Sequence, residues 1–250
     1  MVIKTQGLVL KQRNIGEKDK FITILSKDQG VIEASARGVK SVKSKLLSGT
    51  QPLCFSEFTL FQGKSSYVIN DAQVIESFYD IRLDIEKTAL ASYFCELLSF
   101  ISPGEDNGED YLRLALNTLS YLCTSARTPA FLKPVFEWKL MAISGFCPDL
   151  SECASCGNDC EEQAVFYPAE GLLRCRACAE ESSQMNCFPL NKPILAALRF
   201  MTEADLKKLF LFKLEPKALE YLGTITEYYT LYHCGRGFHS LDFYKNLPKL

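Results

Sequence analysis

The stretch KFITILSKDQGVIEASA, residues 20–36, decides the fold class. Its two arms, FITIL and VIEASA, mix β-branched and apolar residues in the rhythm of half-buried strands, and SKDQG between them is a polar turn signal. Working outward from this hairpin, Lys4–Arg13 is a strand ahead of the turn NIGEKD, and Pro52–Phe61 and Tyr67–Glu76 are strands behind it. FQGKSS can close the last hairpin around Gly63. Five strands in about 75 residues predict a small closed barrel of the OB type, with a long connection, Arg37 to Gln51, between the third and fourth.

That connection carries ARGVKSVKSK, residues 36–45, which places Arg37, Lys40, Lys43 and Lys45 close together, with no acid from Ala34 to Ser56. The whole chain is slightly acidic, 28 Lys and Arg against 30 Asp and Glu. Divided, residues 1–78 carry 11 bases and 7 acids, a local excess of +4. A polyanion responds to the local patch rather than to the sum, so the net charge of −2 does not exclude nucleic acid. A charge run is ordinarily a solvated face. An OB barrel, however, tracks strands with a positive groove and stacking aromatics; Lys11, Arg13, Lys18 and Lys20 add charge nearby, and Phe21, Phe55, Phe58 and Tyr67 are candidate stacking partners or core. In the tail YHCGRGFHSLDFYKNLPKL, Arg236, His239, Lys245 and Lys249 form a second, weaker candidate patch against a plain helix end and surface strand.

From Asp80 the apolar spacing turns helical. In DIEKTALASYFCELLSFI, Leu90, Tyr93, Phe94, Leu97, Leu98 and Ile101 recur at three and four, and Pro103–Gly104 is a stop ahead of the acidic loop GEDNGED. Further helices are predicted at Tyr111–Ser125, Phe131–Ser144, Pro193–Met201 and Pro216–His233. The expected organisation is α+β: a five-stranded OB barrel over 1–78, then an α-helical domain over 79–250 with an inserted cysteine module at 153–178.

Within that insertion, Cys153 and Cys156 form one C-x-x-C pair, Cys175 and Cys178 another, and 18 residues separate them. This is the spacing of a four-thiolate zinc site, and a polar, Glu-rich segment offers little core to bury free thiols. Cys147, Cys160 and Cys187 lie nearby and leave the ligand choice open. Four thiolates close the coordination shell, so the expected role is structural, with one Zn2+. No catalytic residue is nominated. QGKSS fails the phosphate-loop spacing, no G-x-S-x-G occurs, neither histidine has the deaminase H-x-E pattern, and no nucleotide site is expected. No stretch reaches the roughly 20 apolar residues of a membrane span, which with the cysteine usage predicts a cytoplasmic protein.

Taken together, TQGLVLKQRNIGEKDKFITILSKDQGVIEASARGVKSVKSKL, Gly49–Phe61 and GFCPDLSECASCG resemble the RecO family of bacterial recombination mediators over most of the chain. The resemblance implies an N-terminal OB fold and a nucleoid-associated protein that binds single- and double-stranded DNA. It also implies annealing of complementary strands without ATP, and help in loading recombinase onto DNA coated with single-stranded-DNA-binding protein. Implied partners are RecR and the acidic C-terminal tail of that coating protein. The basic segment Arg37–Lys45 with Lys11 and Arg13 matches the family's DNA-facing positions, and Cys153, Cys156, Cys175 and Cys178 match the zinc ligands of its metal-bearing members. For the acidic tail, Arg127, Lys133 and Lys139 are candidate rim bases on the helical domain. The alternative is a protein-interaction scaffold with a structural zinc module and only incidental DNA contact.

Overall fold

Five strands do close into a barrel at the N-terminus of the computed structural model, which describes residues 1–63, 66–101, 108–160, 162–179 and 186–248. They are β1 (Val2–Ile15), β2 (Asp19–Ser26), β3 (Gly30–Ala36), β4 (Phe55–Gln62) and β5 (Tyr67–Glu76), in the order β1-β2-β3-β5-β4, the OB-fold arrangement. β1 is long because it serves both flanks: Val2–Leu8 pairs with β4, Gly7–Ile15 with β2, and a register shift lies between Val9 and Lys11. A short parallel contact, Ala34 to Tyr67 and Ser35 to Val68, closes the ring. Alternation along β3 sends Ile32, Ala34 and Ala36 inward to meet Val9, Ile22, Ile24, Phe58, Leu60 and Ile69. The hairpin around Gly63 is present, Gly63 N–H donating to the Ser66 carbonyl at 2.9 Å, while residues 64–65 lie outside the described residues.

By its contacts the chain divides into two compact units, Met1–Arg127 with Phe238–Leu250, and Thr128–Gly237. The first unit adds to the barrel a 3-10 turn (Tyr79–Leu83), α1 (Ile85–Ile101), α2 (Gly108–Cys123) and, from the far end of the chain, α6 (His239–Lys245). The sequence reading expected a surface strand there. α6 docks on α1 through Phe238, whose ring meets Tyr93 and Phe100 edge-on at 6.0 and 5.7 Å, and through Ser240, whose N–H donates to Glu96 at 3.1 Å. Two helices expected to pack with the C-terminal domain therefore belong by contact with the barrel. Pro103–Gly104 and most of the acidic loop lie outside the described residues.

The second unit holds α3 (Pro129–Ile143), α4 (Lys192–Glu203), α5 (Pro216–Cys234) and a four-stranded sheet of β6 (Asp149–Cys153), β7 (Gln163–Tyr167), β8 (Leu172–Cys175) and β9 (Phe188–Asn191), ordered β6-β8-β7-β9. The sheet reaches beyond the 153–178 module on both sides. α3 opens on Thr128, whose hydroxyl accepts from Phe131 N–H, with Pro129 in the first turn where its missing N–H costs nothing. Every residue from Phe131 to Met141 is buried, so α3 is the central helix of this unit. Trp138, 1 % exposed, donates to Thr202 Oγ1 at 2.9 Å and meets Phe166 and Tyr229 at 5.9 and 5.1 Å. Among the described residues no helix is long and apolar enough to cross a membrane.

Candidate nucleic-acid interface and metal centre

In the first unit, the basic connection is fastened rather than loose. Val39 and Leu46, 0 % and 8 % exposed, plug into the barrel core and anchor it from within. Gly38 takes a left-handed φ of 62° and donates its N–H to Asp19 Oδ1 at 2.7 Å. Lys40 donates its backbone N–H to the Lys18 carbonyl at 3.2 Å and its Nζ to the Gly16 carbonyl at 2.9 Å. Behind the run, Thr50 Oγ1 donates to the Leu46 carbonyl at 2.7 Å and Ser56 Oγ to the Gly49 carbonyl at 2.9 Å. These bonds lay the start of the connection, with Arg37 and Lys40, against the β1–β2 turn that carries Lys18, beside Glu17 and Asp19.

Arg37, Lys43, Lys45, Lys11 and Arg13 are exposed, and Lys40 is half-buried. Arg13 lies 3.7 Å from Glu33 and its guanidinium sits 5.1 Å from the centre of the Phe21 ring. With side chains 64 % and 53 % exposed, the Arg13–Glu33 pair is a weak surface contact that a phosphate can displace. Lys20 is engaged by Gln12 Oε1 at 2.7 Å. Of the aromatic candidates, Phe58 is 0 % exposed and belongs to the core, which corrects its nomination as a stacking partner; Phe21, Phe55 and Tyr67 are half-buried. Arg236 is exposed beyond the end of α5, in the second unit, and its Nε donates to the Gly237 carbonyl at 3.0 Å. His239 and Lys245 lie exposed on α6 in the first unit, and Lys249 is outside the described residues.

Two of the three bases nominated for an acidic partner are interior. Lys133 Nζ lies 2.8 Å from Glu137 and 2.9 Å from Glu227, and Glu137 also accepts from Thr226 Oγ1 at 2.8 Å. Burial alone would pull this lysine's pKa down, but the two carboxylates outweigh it and hold the value above the usual one. Lys139 Nζ donates to the Thr202 and Ala204 carbonyls at 2.9 and 2.8 Å, satisfying groups at the end of α4. At 7 % and 8 % exposure neither lysine can form the rim of a pocket. Arg127, half-buried after α2, stays a candidate. The sequence signal for the buried network was the i,i+4 spacing of Lys133 and Glu137, which on an exposed helix would be unremarkable.

In the second unit, parallel pairing of β6 and β8 sets Cys153 opposite Leu173 and so brings the two cysteine turns side by side. Each turn follows a strand end. Gly157, at φ 70°, donates its N–H to the Cys153 carbonyl at 2.8 Å, and Cys178 N–H donates to the Cys175 carbonyl at 3.0 Å. The sulfurs of Cys153, Cys156, Cys175 and Cys178 all lie within 4.8 Å of one another, with Cys156 and Cys175 3.8 Å apart. A zinc–sulfur distance of about 2.3 Å requires tetrahedral edges of about 3.8 Å, so the donors and their spacing fit such an ion. Cys147, Cys160 and Cys187 are not in this group. Backbone N–H groups, that of Cys175 foremost, draw the Cys153 thiol down to about 6, while hydrogen bonds with the Cys156 and Cys175 thiols push Cys178 up to about 12. A cation bound at the cluster would take the place of the thiol protons.

Comparison with known proteins agrees with this architecture. Residues 1–78 match the family model described as Recombination protein O N terminal, and residues 82–242 match that described as Recombination protein O C terminal. Similar curated proteins include the DNA repair protein RecO of Acetivibrio thermocellus, 34 % identical over 99 % of this chain and 98 % of that one. The DNA repair protein RecO of Alkaliphilus metalliredigens is 32 % identical over 99 % and 100 %, and that of Caldicellulosiruptor bescii 32 % over 98 % of each. A barrel matched along its whole length, followed by a helical segment matched almost to its end, leaves one assignment: the chain belongs to the RecO family.

Proposed function

We propose that this protein is a nonenzymatic DNA repair and recombination mediator whose barrel grips single- and double-stranded DNA through phosphate contacts and assists annealing without ATP. The observation that carries the reading is the fastened basic connection, in which Arg37, Lys40, Lys43 and Lys45 stand on a loop bonded to the β1–β2 turn. A loop backbone already held in place spares part of the ordering cost of binding phosphates, and phosphate contacts do not read base identity. Annealing needs no nucleotide, because pairing itself yields about 1.4 kcal/mol per stacked step. The protein has only to screen strand repulsion. Lys11 and Arg13 extend the proposed DNA contacts on the barrel, and Arg236, in the second unit, is retained as a separate candidate. Zinc at the four cysteines would supply no chemistry beyond cross-linking β6 to β8 and stiffening the sheet. Loading recombinase onto coated DNA then requires protein partners, for which we retain RecR and the acidic tail of single-stranded-DNA-binding protein, with Arg127 as the remaining rim base. A nucleoid-associated cytoplasmic protein fits this role.

The test is anisotropy of a labelled oligo-dT across a salt series, alongside strand annealing without ATP. Changing Arg37, Lys40, Lys43 and Lys45 to Ala should weaken binding and flatten the salt slope by as much as about 2.8, at about 0.7 per phosphate contact on single strands. An unchanged slope would remove the loop from the reading. One observation favours the scaffold alternative: Val74, Ile75, Tyr79, Leu83 and Ile85, within twelve consecutive residues, are each 43 % or more exposed. Weak binding by the wild type with no salt dependence and no annealing would give that alternative the lead.

A further inference from the structure

We infer that Val42, at the crown of the Arg37–Lys45 loop, is the contact by which this protein distinguishes an unpaired strand from a finished duplex. The inference rests on the loop being the DNA surface proposed above. Val42 is 90 % exposed, the most of any large apolar side chain reported among the described residues. A single exposed apolar residue is ordinary. This one differs in how it is held and in what surrounds it.

The chain is tied on both sides of Val42. Ser41 N–H donates to the Gly38 carbonyl at 3.2 Å and Ser44 N–H to the Ser41 carbonyl at 2.9 Å, forming successive turns. Ser41 Oγ also accepts from Lys43 N–H at 3.3 Å. With Val39 and Leu46 sunk in the core on either side, the crown is kept away from the barrel. Lys40 and Lys43 flank Val42 in sequence, so an occupant with negative charge at its margin and an apolar centre suits the loop. Single-stranded DNA has both, since its phosphates flank bases whose faces are open. A duplex offers phosphates but keeps its base faces stacked inside, so it satisfies the lysines and leaves Val42 in water. As strands pair, the valine contact is lost and the grip on the product weakens.

The test uses the full-length protein with Val42→Ser and Val42→Phe, on an oligo-dT and on a duplex of equal length, each across a salt series. Val42→Ser should bind the single strand about three- to tenfold more weakly, as expected for losing much of a valine's burial. Its duplex affinity should stay within about twofold, and its salt slope should match the wild type because no cation is lost. Val42→Phe should bind the single strand at least as tightly as wild type, since a ring stacks on bases. Unchanged single-strand affinity in Val42→Ser, or an equal loss on duplex, overturns the inference. The variant with alanine at Arg37, Lys40, Lys43 and Lys45 is run in parallel. If it flattens the slope while Val42→Ser is silent, only the role of Val42 falls; if it binds like wild type, the surface and the inference fall together.

Discussion

Replacing Lys133 with Met keeps most of the side chain's length and packing but removes the charge that neutralises Glu137. Glu137 is 0 % exposed and its oxygen lies 2.8 Å from Lys133 Nζ, so the variant buries a carboxylate whose cation is gone. Breaking such a pair from one side costs about 3–5 kcal/mol. Glu227, with a 19 % exposed side chain, can turn toward water and should add little. The loss should also depend on pH. Burial without a cation favours the neutral carboxyl, so in the variant Glu137 titrates above the unfolded value of about 4.3. A group raised in this way contributes stability below its unfolded pKa and loses it as pH rises through its folded pKa. The deficit should therefore be widest at neutral pH and shrink as pH falls toward about 5. In the wild type the sign is the same but the window lies far higher: Lys133, held above its usual pKa, keeps its contribution until pH climbs past the lysine range. Urea denaturation followed by far-UV circular dichroism measures both effects. Adding Glu137→Leu to Lys133→Met should restore most of the loss, because the buried carboxylate leaves with it. A deficit under about 1 kcal/mol, no change with pH, or no rescue by the double substitution would refute the reasoning.

Cys156→Ser should release zinc by metal analysis and lower the melting temperature of the metal-loaded protein, since closed four-thiolate sites contribute folding energy; retained stoichiometric metal would mean the ligands are misassigned. Gly108→Ala should destabilise by about 1–3 kcal/mol in thermal melts, because its Cβ would clash with the Ser26 carbonyl oxygen and lie 2.9 Å from Gly30 N, backbone atoms that cannot rotate aside. A neutral result there would mean the start of α2 shifts freely. Thr128→Ala removes the hydroxyl that accepts from Phe131 N–H at the head of α3 and should cost about 1 kcal/mol by the same measurement.

The barrel was legible because its strands alternate cleanly, as β3 does residue by residue, and because its turns carry Gly and polar runs. The cysteine spacing was legible for a chemical reason: a tetrahedral ion needs paired donors on short turns. The β6–β9 sheet was not, because its strands are four or five residues long and two of its three pairings, β6–β8 and β7–β9, join strands that are not neighbours in sequence. α6 has only seven residues, and its place depends on Phe238 and Ser240 meeting residues of α1 more than a hundred positions away. Lys133 and Lys139 look like surface bases in the sequence, yet α3 has no solvent face along Phe131–Met141; only the fold reveals that Glu137 and the end of α4 receive their charges.

Trp138 is the one tryptophan in the chain, and its neighbours Phe166, Leu198, Thr202 and Tyr229 all belong to the second unit. Indole emission is therefore a private gauge of that unit, silent about the barrel. Its unfolding can be followed separately from the backbone signal of the whole chain, and two transitions that fail to coincide would identify the order in which the units melt. The same gauge needs no label when unlabelled strand is added. A shift in emission on binding at the basic loop would report that the second unit senses an event in the first.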